Sequence, residues 1–586
     1  MKRIFFFSSL ITIFAVMTCC TTDDSFEDDG SVRDNSGMVP GGSGTSTTTG
    51  ELATFDITID NTTAEPTDVA DAYYPEEEDM LGNGDFTTEV SIDMNNPVAK
   101  NENGVQVTVN GHHVTASHSE TKNVCYVLSG TTDNGSFTVV GDKKYAVKLN
   151  GVSITNPDSA ALNLLSSKRA FIILADGTSN TLTDAEGGSH KGALYAKGKL
   201  LFNGTGSLRV IGNTNNGIHC ADYITFSKGN NIYVRSTANH GIKANDGIFI
   251  NGGILNVEVS AAAAKGLNCE SHIIVNGGRT TVLTTGGGAY DSEEREAKGA
   301  AAIKTDSTLT INGGELRLKS TGAGGKGINI DTDAQFNEGT VYIVTTGSQY
   351  ASNNDTSSPK GIKADGNINV SGSTIWVRTS GSNGEGIETK KELTITGGEV
   401  ASYAYDDAIN SKGNMTISGG YVYAHGQRND GLDANGNCYI QDGTVYAICS
   451  GSPEVAIDAN SEGGYKLYLT GGTVVALGGL ESGSQLSQTC YAATSWSAST
   501  WYALTSADNT FSFRTPSSAG SGLVVSAASQ PSLQSGVSVS GGTSHFGGIA
   551  ITDASLSNGT SVTLSAYSGG NNMGGQPGGG QHGRWY

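Results

Sequence analysis

The sequence has few prolines and few charged residues, and both shortages narrow its fold class. Its 10 prolines in 586 residues exclude a collagen-like chain and long proline-rich linkers. Charged residues make up 16% of the chain and hydrophobic residues 36%, the latter in short alternating runs, which argues against a helical bundle and a polytopic membrane protein. The net charge of −22 excludes long-range attraction to nucleic acid or to an anionic membrane surface.

Glycine is abundant instead, with 82 residues, and it recurs within a repeat. The segment from Gly241 to Val259 serves as the template, because its pattern returns about every 24 residues down the chain. Its first position recurs at Ala193, Gly217, Gly241, Gly266, Ala302, Gly327, Gly361, Gly386, Ala408, Gly431 and Ala456. Each unit holds two short alternating strands separated by a turn such as Asn251-Gly252-Gly253, which is too little chain to bury its own apolar side.

These units predict an all-β, single-stranded parallel β-helix of about 12 coils with β caps, in which stacked coils lie about 4.8 Å apart. An antiparallel sandwich or a propeller is the rival, but a propeller blade needs about 40 residues. The predicted organisation is a signal peptide at 1–20, a disordered tether at 21–95, an N-terminal cap at 96–190, coils at 191–485, a C-terminal β cap at 486–567 and a disordered tail at 568–586.

The N-terminus predicts export and lipid anchoring. Lys2 and Arg3 precede a short apolar run, and Val16 to Cys19 resembles a bacterial lipobox, which predicts lipidation of Cys19. The acidic stretch that follows resembles an export signal to the outer cell surface, so we expect an outer-membrane, surface-exposed monomer. Export permits disulfides, but Cys220 and Cys269 share a repeat position of small buried residues and are predicted to be unpaired. The pairing of Cys125, Cys438, Cys449 and Cys490 is left open.

Aromatic residues recur at an outward position of the second strand in each coil. A row of flat rings at strand spacing suits the C–H faces of successive sugars in a linear polysaccharide, although stacked aromatics also simply favour strands. The row comprises Tyr342, Trp376, Tyr423 and Tyr446, with Tyr403 at a neighbouring position. Two insertions after the second strand, 286–301 and 347–359, present Tyr290 and Tyr350 and are predicted to wall a groove.

A second pair of outward rows changes from basic to acidic along the chain. Lys360 and Lys363 are predicted to face Glu385 and Glu388 as exposed ion pairs, each contributing at most about 1 kcal/mol. Carboxylates in successive coils repel one another unless a cation or protons intervene, so we expect a calcium site. Its predicted ligands are Asp406, Asp407, Asp430 and Asp433, and a solvated acidic row without metal is the alternative.

Several segments resemble bacterial extracellular carbohydrate-binding β-helix proteins. These are Tyr145 to Ile154, Phe171 to Gly177, Gly361 to Gly366 and Asp430 to Gly436, within a resemblance that covers roughly residues 120–565. The resemblance implies a right-handed parallel β-helix similar to that of calcium-dependent pectate lyases. It also implies calcium sites and binding of acidic or cellulosic plant polysaccharides, without established lyase activity.

The sequence alone is therefore compatible with three functions. The first is a surface-anchored binder of a linear plant cell-wall polysaccharide, acidic or neutral, stabilised by Ca²⁺. The second is a calcium-dependent polysaccharide lyase or glycoside hydrolase, which needs a cation beside a basic residue of lowered pKa, and no compact cluster of two aspartates and a lysine emerges from the rows. The third is an adhesin or structural surface protein.

Overall fold

The structure is a computed structural model that describes residues 49–59, 71–82, 85–102, 104–119, 123–452, 454–507 and 509–569. Within these residues no helix has the length and apolar character needed to cross a membrane. The predicted signal peptide with Cys19, and nearly all of the predicted tail, lie outside the described residues.

The repeats form a solenoid of about 14 turns, close to the predicted 12 coils. Each regular coil contributes three strands, and equivalent strands of successive coils pair in parallel. We name the three stacks strip A, strip B and strip C. In the template coil, 247–250 belongs to strip A, 254–259 to strip B and Ile242–Ala244 to strip C. The fold class predicted from the sequence is therefore confirmed.

Strips A and B form one continuous sheet. The strands that run through both strips are Val124–Thr132, Tyr145–Thr155, Gly247–Val259, His272–Thr284, Met415–Gly426 and Cys438–Cys449. Strip A also contains Thr88–Asp93, Ala170–Leu174, Leu200–Gly204, Tyr223–Phe226, Leu309–Ile311, Ala334–Phe336, Ile368–Val370, Leu393–Ile395, Leu467–Leu469 and Gln485–Leu486. Strip B also contains Ser179–Thr183, Ser207–Gly212, Asn231–Ser236, Glu315–Ser320, Thr340–Thr345, Thr374–Thr379, Glu399–Ala404 and Thr473–Leu477.

Strip C belongs to a second sheet. After an antiparallel start formed by Lys100–Glu102, Val105–Asn110 and His112–His118, its strands pair in parallel. They are Gly135–Gly141, Leu162–Leu164, Gly192–Ala196, Asn216–Cys220, Ile242–Ala244, Lys265–Cys269, Ala301–Thr305, Lys326–Ile330, Lys360–Ala364, Glu385–Thr389, Ile409–Ser411 and Leu432–Ala434. Two short 3₁₀ helices are described, at Glu77–Asp79 and Ser461–Gly463.

Two places in the coil need very small residues, glycine or alanine at the first and glycine at the second. The first template position turns inward, and a Cβ on Gly241 would lie 2.3 Å from Cγ1 of Val257, so only the smallest residues fit there. The turn between strips A and B needs left-handed backbone, which Gly253 supplies with a φ of 83°. The six cysteines of the described solenoid and cap are buried and free, which confirms the prediction for Cys220 and Cys269.

The C-terminal region caps the last coil and covers one side of the solenoid. Cys490–Trp496, Gly520–Ser526 and Ser565–Tyr567 extend the solenoid sheet by antiparallel pairing. The other strands form a six-stranded antiparallel sheet, here called the C-terminal sheet, from Trp501–Ser506, Asn509–Arg514, Ser532–Ser540, Thr543–His545, Ala550–Thr552 and Ser555–Val562.

The prediction of a disordered tether at 21–95 is wrong for the parts of that segment that the structure describes, because they pack against the solenoid or belong to it. In residues 49–59, the side chains of Leu52, Phe55 and Ile57 are buried against strip B. Residues 71–82 contact strip A further toward the N-terminal end, where Asp79 pairs with Arg169 at 2.7 Å. Thr88–Asp93 is itself a solenoid strand. The apolar residues Leu52, Phe55 and Ile57 in this otherwise polar segment are the sequence signal that indicates packing against the solenoid.

Candidate functional site

The predicted aromatic row exists, but it is buried. Tyr342 pairs with Trp376, the row continues through Ala401 to Tyr423, and Tyr423 pairs with Tyr446, as the repeat spacing predicts. These rings and that of Tyr403 are nevertheless at most 8% exposed. The expectation of an exposed sugar platform is therefore wrong for these five residues, because a covered ring has no face to offer a sugar.

Two elements cover these rings. The Phe55 ring lies 6.0 Å from that of Tyr342 and 6.4 Å from that of Trp376. From the C-terminal sheet, the Phe546 backbone N–H donates to Glu399 at 3.1 Å, and the Trp376 indole N–H donates to the same oxygen at 3.1 Å. The aromatic row is thus the core between the solenoid and its coverings.

The two insertions form hairpins that stack on each other. Their strands are Ala289–Asp291 with Glu296–Lys298, and Tyr350–Ser352 with Asp355–Ser357. The Ala297 backbone N–H donates to the Asp355 carboxylate at 2.6 Å. Tyr290 and Tyr350 are half-buried, so their predicted role in sugar binding stays a prediction. They lie between strips B and C, away from strip A.

An acidic cluster lies on strip C where the predicted cation site should be. Asp430, Asp433 and Asp458 each offer a carboxylate oxygen, and these oxygens lie within 4.8 Å of one another. Asp407 stands in the preceding coil and accepts from the Asp430 backbone N–H at 3.1 Å. Asp458 joins a cluster that the sequence predicted from Asp430 and Asp433, whereas Asp406 and Asp407 stand beside it.

The surroundings of this cluster favour a hard cation. Burial and then Asp407 raise the pKa of Asp430, and burial raises the pKa of Asp433 to about 6. Burial and a hydrogen bond with Glu481 raise the pKa of Asp458 to about 9. Asn410, which pairs with Asp433 across the strip, is 2% exposed, and its Oδ1 has no hydrogen-bond partner among the described residues. A divalent ion bound by oxygen ligands would relieve both conditions.

The junction between the basic and acidic rows differs from the prediction. Lys360 faces Glu385 and Lys363 faces Glu388 in register, as expected. However, the Lys360 ammonium contacts both Glu385 at 2.6 Å and Glu388 at 3.0 Å, whereas Lys363 pairs with Asp365 at 2.6 Å. The Lys360 triad is buried and not exposed, since its three side chains are at most 13% exposed.

The lysine with the most suitable pKa for a base lies far from the acidic cluster. Burial, together with Lys265, lowers the pKa of Lys326 to about 7. Its ammonium group is buried, where it donates to the Ser357 hydroxyl at 2.7 Å. The register runs from Lys326 through Lys360, Glu385 and Asp407 to Asp430, which is four coils or roughly 19 Å.

The outer face of strip A changes character along the solenoid. Toward the N-terminal end it is apolar and covered, since the Tyr73 ring lies 5.4 Å from Phe249 and the Phe86 ring lies 5.1 Å from Phe171. Beyond Ile274, seven consecutive outward side chains are half-buried and uncharged. They form what we call the open row: Thr310, Gln335, Asn369, Thr394, Thr416, Tyr439 and Tyr468.

The open row is straight and polar. Its six intervals of about 4.8 Å give a length of roughly 29 Å. Along one edge runs a ladder of side-chain amides, in which Asn312 donates to Asn276 at 2.9 Å and Asn337 donates to Asn312 at 2.8 Å. Each ladder amide retains a second N–H and a second oxygen lone pair. A groove of about 790 Å³ borders this edge, lined by Asn312, Asn337, Glu338, Gly339, Thr340, Ser371, Gly372 and Thr374.

Comparison with known proteins places the chain in a family. The family described as carbohydrate-binding domain-containing protein matches residues 101–264 and 231–402, which together span more than half of the chain. A protein of the same description from Acetivibrio thermocellus is 30% identical over 160 residues, or 26% of this chain and 54% of the relative. The chain thus spans about half the length of this relative.

A solved structure described as a polysaccharide lyase-like protein from C. thermocellum, in a gadolinium derivative, is 21% identical. The similarity covers 50% of this chain and 98% of the other, but its TM-score of 0.32 is too low to support an inference. The match over 101–402 carries the assignment, because it includes most coils of the solenoid. The chain belongs to the family of carbohydrate-binding domain-containing proteins.

Proposed function

We propose that this protein binds a linear polysaccharide along the open row of strip A. The observation that carries the proposal is a straight face of half-buried hydroxyl, amide and tyrosine side chains that no other described segment covers. The strand spacing is close to the length of one sugar residue in an extended β-1,4-linked chain. Successive sugars would therefore meet equivalent side chains in successive coils, and weak contacts would add along the polymer.

Charge favours a neutral polysaccharide on this face. All seven side chains of the open row are uncharged, and the exposed acids Glu338 and Glu392 flank it. With a net charge of −22, the protein repels polyuronates unless local cations intervene. The lysines Lys304 and Lys363 belong to strip C and pair with Asp306 and Asp365. A neutral chain meets no such repulsion on strip A.

Ca²⁺ at Asp430, Asp433 and Asp458 is part of the proposal, with a structural role. The cluster lies on strip C, whereas the open row lies on strip A, so the ion would stabilise the coils instead of bridging to the sugar. It would supply positive charge that holds the three carboxylates ionised at neutral pH.

Lipidation of Cys19 and anchoring at the outer membrane complete the proposal. Recovery of a Cys19→Ser variant from the soluble fraction instead of the membranes tests them.

Substitution at the centre of the open row tests sugar binding. Thr394→Lys places a long charged side chain in the row and is expected to weaken binding to a neutral β-1,4-glucan at least tenfold. Asn369→Ala with Thr394→Ala is expected to weaken it about tenfold, since two net hydrogen bonds of about 0.7 kcal/mol each are lost. Affinity gel electrophoresis on glucan, xylan, mannan and polygalacturonate measures both effects.

Thr356→Lys is the matched control, because Thr356 is an exposed threonine on the second hairpin. It is expected to bind as the unmodified protein does. Equal weakening by Thr356→Lys and Thr394→Lys would move the site away from the open row. Failure of the unmodified protein to bind any of the four polysaccharides would contradict the proposed function itself.

Removal of Ca²⁺ is expected to make stability depend on pH. Carboxyls with raised pKa bind more protons in the folded than in the unfolded chain, so the free energy of unfolding falls as pH rises from the ordinary 3.8 toward about 9. Near pH 8, Ca²⁺ at 100 times its Kd is expected to raise Tm by about 2–3 °C. Calorimetric scans with chelator or Ca²⁺ measure both effects.

Asp430→Asn with Asp433→Asn should abolish the Ca²⁺ response, whereas Asp142→Asn, at an exposed aspartate, should retain it. A Tm that rises with pH in chelator, or that ignores Ca²⁺ near pH 8, would contradict the cation site.

A further inference from the structure

On strip A, within the described part of the chain, one pair of outward aromatic rings is left uncovered by other elements. Tyr439 and Tyr468 are the last two members of the open row, in adjacent coils. Their ring centroids are 5.1 Å apart and the ring planes differ by 15°. This separation is that of an offset stack, in which part of each ring face is not covered by the other ring. Both side chains are half-buried.

Several other outward aromatics of strips A and B contrast with this pair. Phe249 is covered by Tyr73, Phe171 by Phe86, and Trp376 by Phe55. Tyr423 is covered by Phe546 of the C-terminal sheet. Neither the N-terminal segment nor the C-terminal sheet makes such a ring contact with Tyr439 or Tyr468 among the described residues.

The neighbours of the pair are small or polar. Thr416 precedes Tyr439 in the row and the exposed Gln485 follows Tyr468. At the adjacent corner, the Lys466 backbone N–H donates to the Asn437 side-chain oxygen at 3.0 Å. A sugar ring that reaches this end of the row therefore meets an aromatic surface with polar groups at its edges.

We propose that Tyr439 and Tyr468 form a stacking subsite for the apolar C–H face of a pyranose ring, at the C-terminal end of the open row. This inference rests on the proposed function, since it assigns one end of the same polysaccharide site. The polar members of the row, from Thr310 to Thr416, make hydrogen bonds that most sugars satisfy. The tyrosine pair adds a requirement that only some sugars meet.

The subsite selects by ring stereochemistry. A pyranose whose substituents are all equatorial, as in β-1,4-glucan or xylan, exposes C–H groups on both faces and stacks on an aromatic ring. An axial hydroxyl, as in mannan, interrupts one of these faces. The pair should therefore favour glucan and xylan over mannan, whereas the polar row alone should distinguish them little.

Four variants test the subsite by affinity electrophoresis on hydroxyethyl cellulose and on soluble β-1,4-mannan. Tyr439→Ala and Tyr468→Ala are expected to weaken glucan binding roughly tenfold each and mannan binding less than threefold, so the preference for glucan falls. Tyr439→Phe and Tyr468→Phe keep the ring and are expected to bind within twofold of the unmodified protein. Tyr195→Ala, at a half-buried tyrosine on strip C, is expected to change neither value. Thermal unfolding of each variant verifies its fold.

The outcomes separate the subsite from the proposed function. If Thr394→Lys abolishes glucan binding while both tyrosine-to-alanine variants keep the affinity and the preference, the row binds sugar and the subsite is wrong. If both alanine variants lose glucan and mannan binding equally while remaining folded, the rings serve structure and the subsite is also wrong. If the unmodified protein binds neither polymer, the proposed function fails and the subsite fails with it.

Discussion

Trp376→Ala is expected to lower the free energy of unfolding by about 3–5 kcal/mol, because the substitution removes a buried indole and leaves a cavity. Trp376 is 5% exposed and contacts Phe55 and Tyr342. Its indole N–H also donates to Glu399, which holds the Phe546 backbone of the C-terminal sheet. Urea unfolding followed by circular dichroism measures the change.

Tyr468→Ala is the control for this prediction, since it removes a half-buried aromatic ring from the open row and is expected to cost about 1 kcal/mol or less. At temperatures where both variants are folded, Trp376→Ala should bind polysaccharide normally. Reduced sugar affinity with unchanged stability would show that the buried row is an accessible binding platform after all, and would contradict the burial described above.

Lys360→Met is expected to destabilise the fold by about 3–5 kcal/mol near neutral pH. Lys360 is the shared partner of Glu385 and Glu388, and all three side chains are at most 13% exposed. Removal of the lysine leaves two neighbouring buried carboxylates without their counter-ion, and these must be protonated or disrupt the corner. Urea unfolding near pH 7 measures the loss, which should diminish toward pH 4 as the carboxylates take up protons.

Lys363→Met lies in the same strand and provides the control. Its partner Asp365 is 31% exposed at the side chain, so loss of this pair is expected to cost less than about 1 kcal/mol. Replacement of the whole triad, Lys360→Met with Glu385→Leu and Glu388→Leu, should recover most of the lost stability. Equal costs for Lys360→Met and Lys363→Met would contradict the buried triad.

The sequence predicted the solenoid well because its signals are local and repeated. Glycine or alanine at the first template position, a left-handed glycine in the turn and alternating apolar residues recur about every 24 residues, so the register of distant side chains follows by counting. The pairs Tyr342 with Trp376 and Lys360 with Glu385 were obtained in this way and are confirmed.

The repeat pattern does not reveal which segments cover the outer faces of the solenoid. The burial of Tyr423 depends on Phe546, and that of Trp376 on Phe55, and both partners lie outside the repeats. Alternation tells which side chains point outward, but an outward side chain is exposed only where nothing docks on it. The same reasoning missed the open row, because Thr310, Gln335 and Asn369 look like ordinary solvent-facing residues until the neighbouring faces are seen to be covered.

A crystal structure of the protein with a β-1,4-linked gluco-oligosaccharide bound tests the central claim most directly. We expect the sugar chain to lie along strip A between Thr310 and Tyr468, with ring planes against Tyr439 and Tyr468 and hydroxyls bonded to Asn369 and Thr394. An oligosaccharide bound instead at the hairpins, or across the acidic cluster of strip C, would contradict the assignment of the open row as the carbohydrate site.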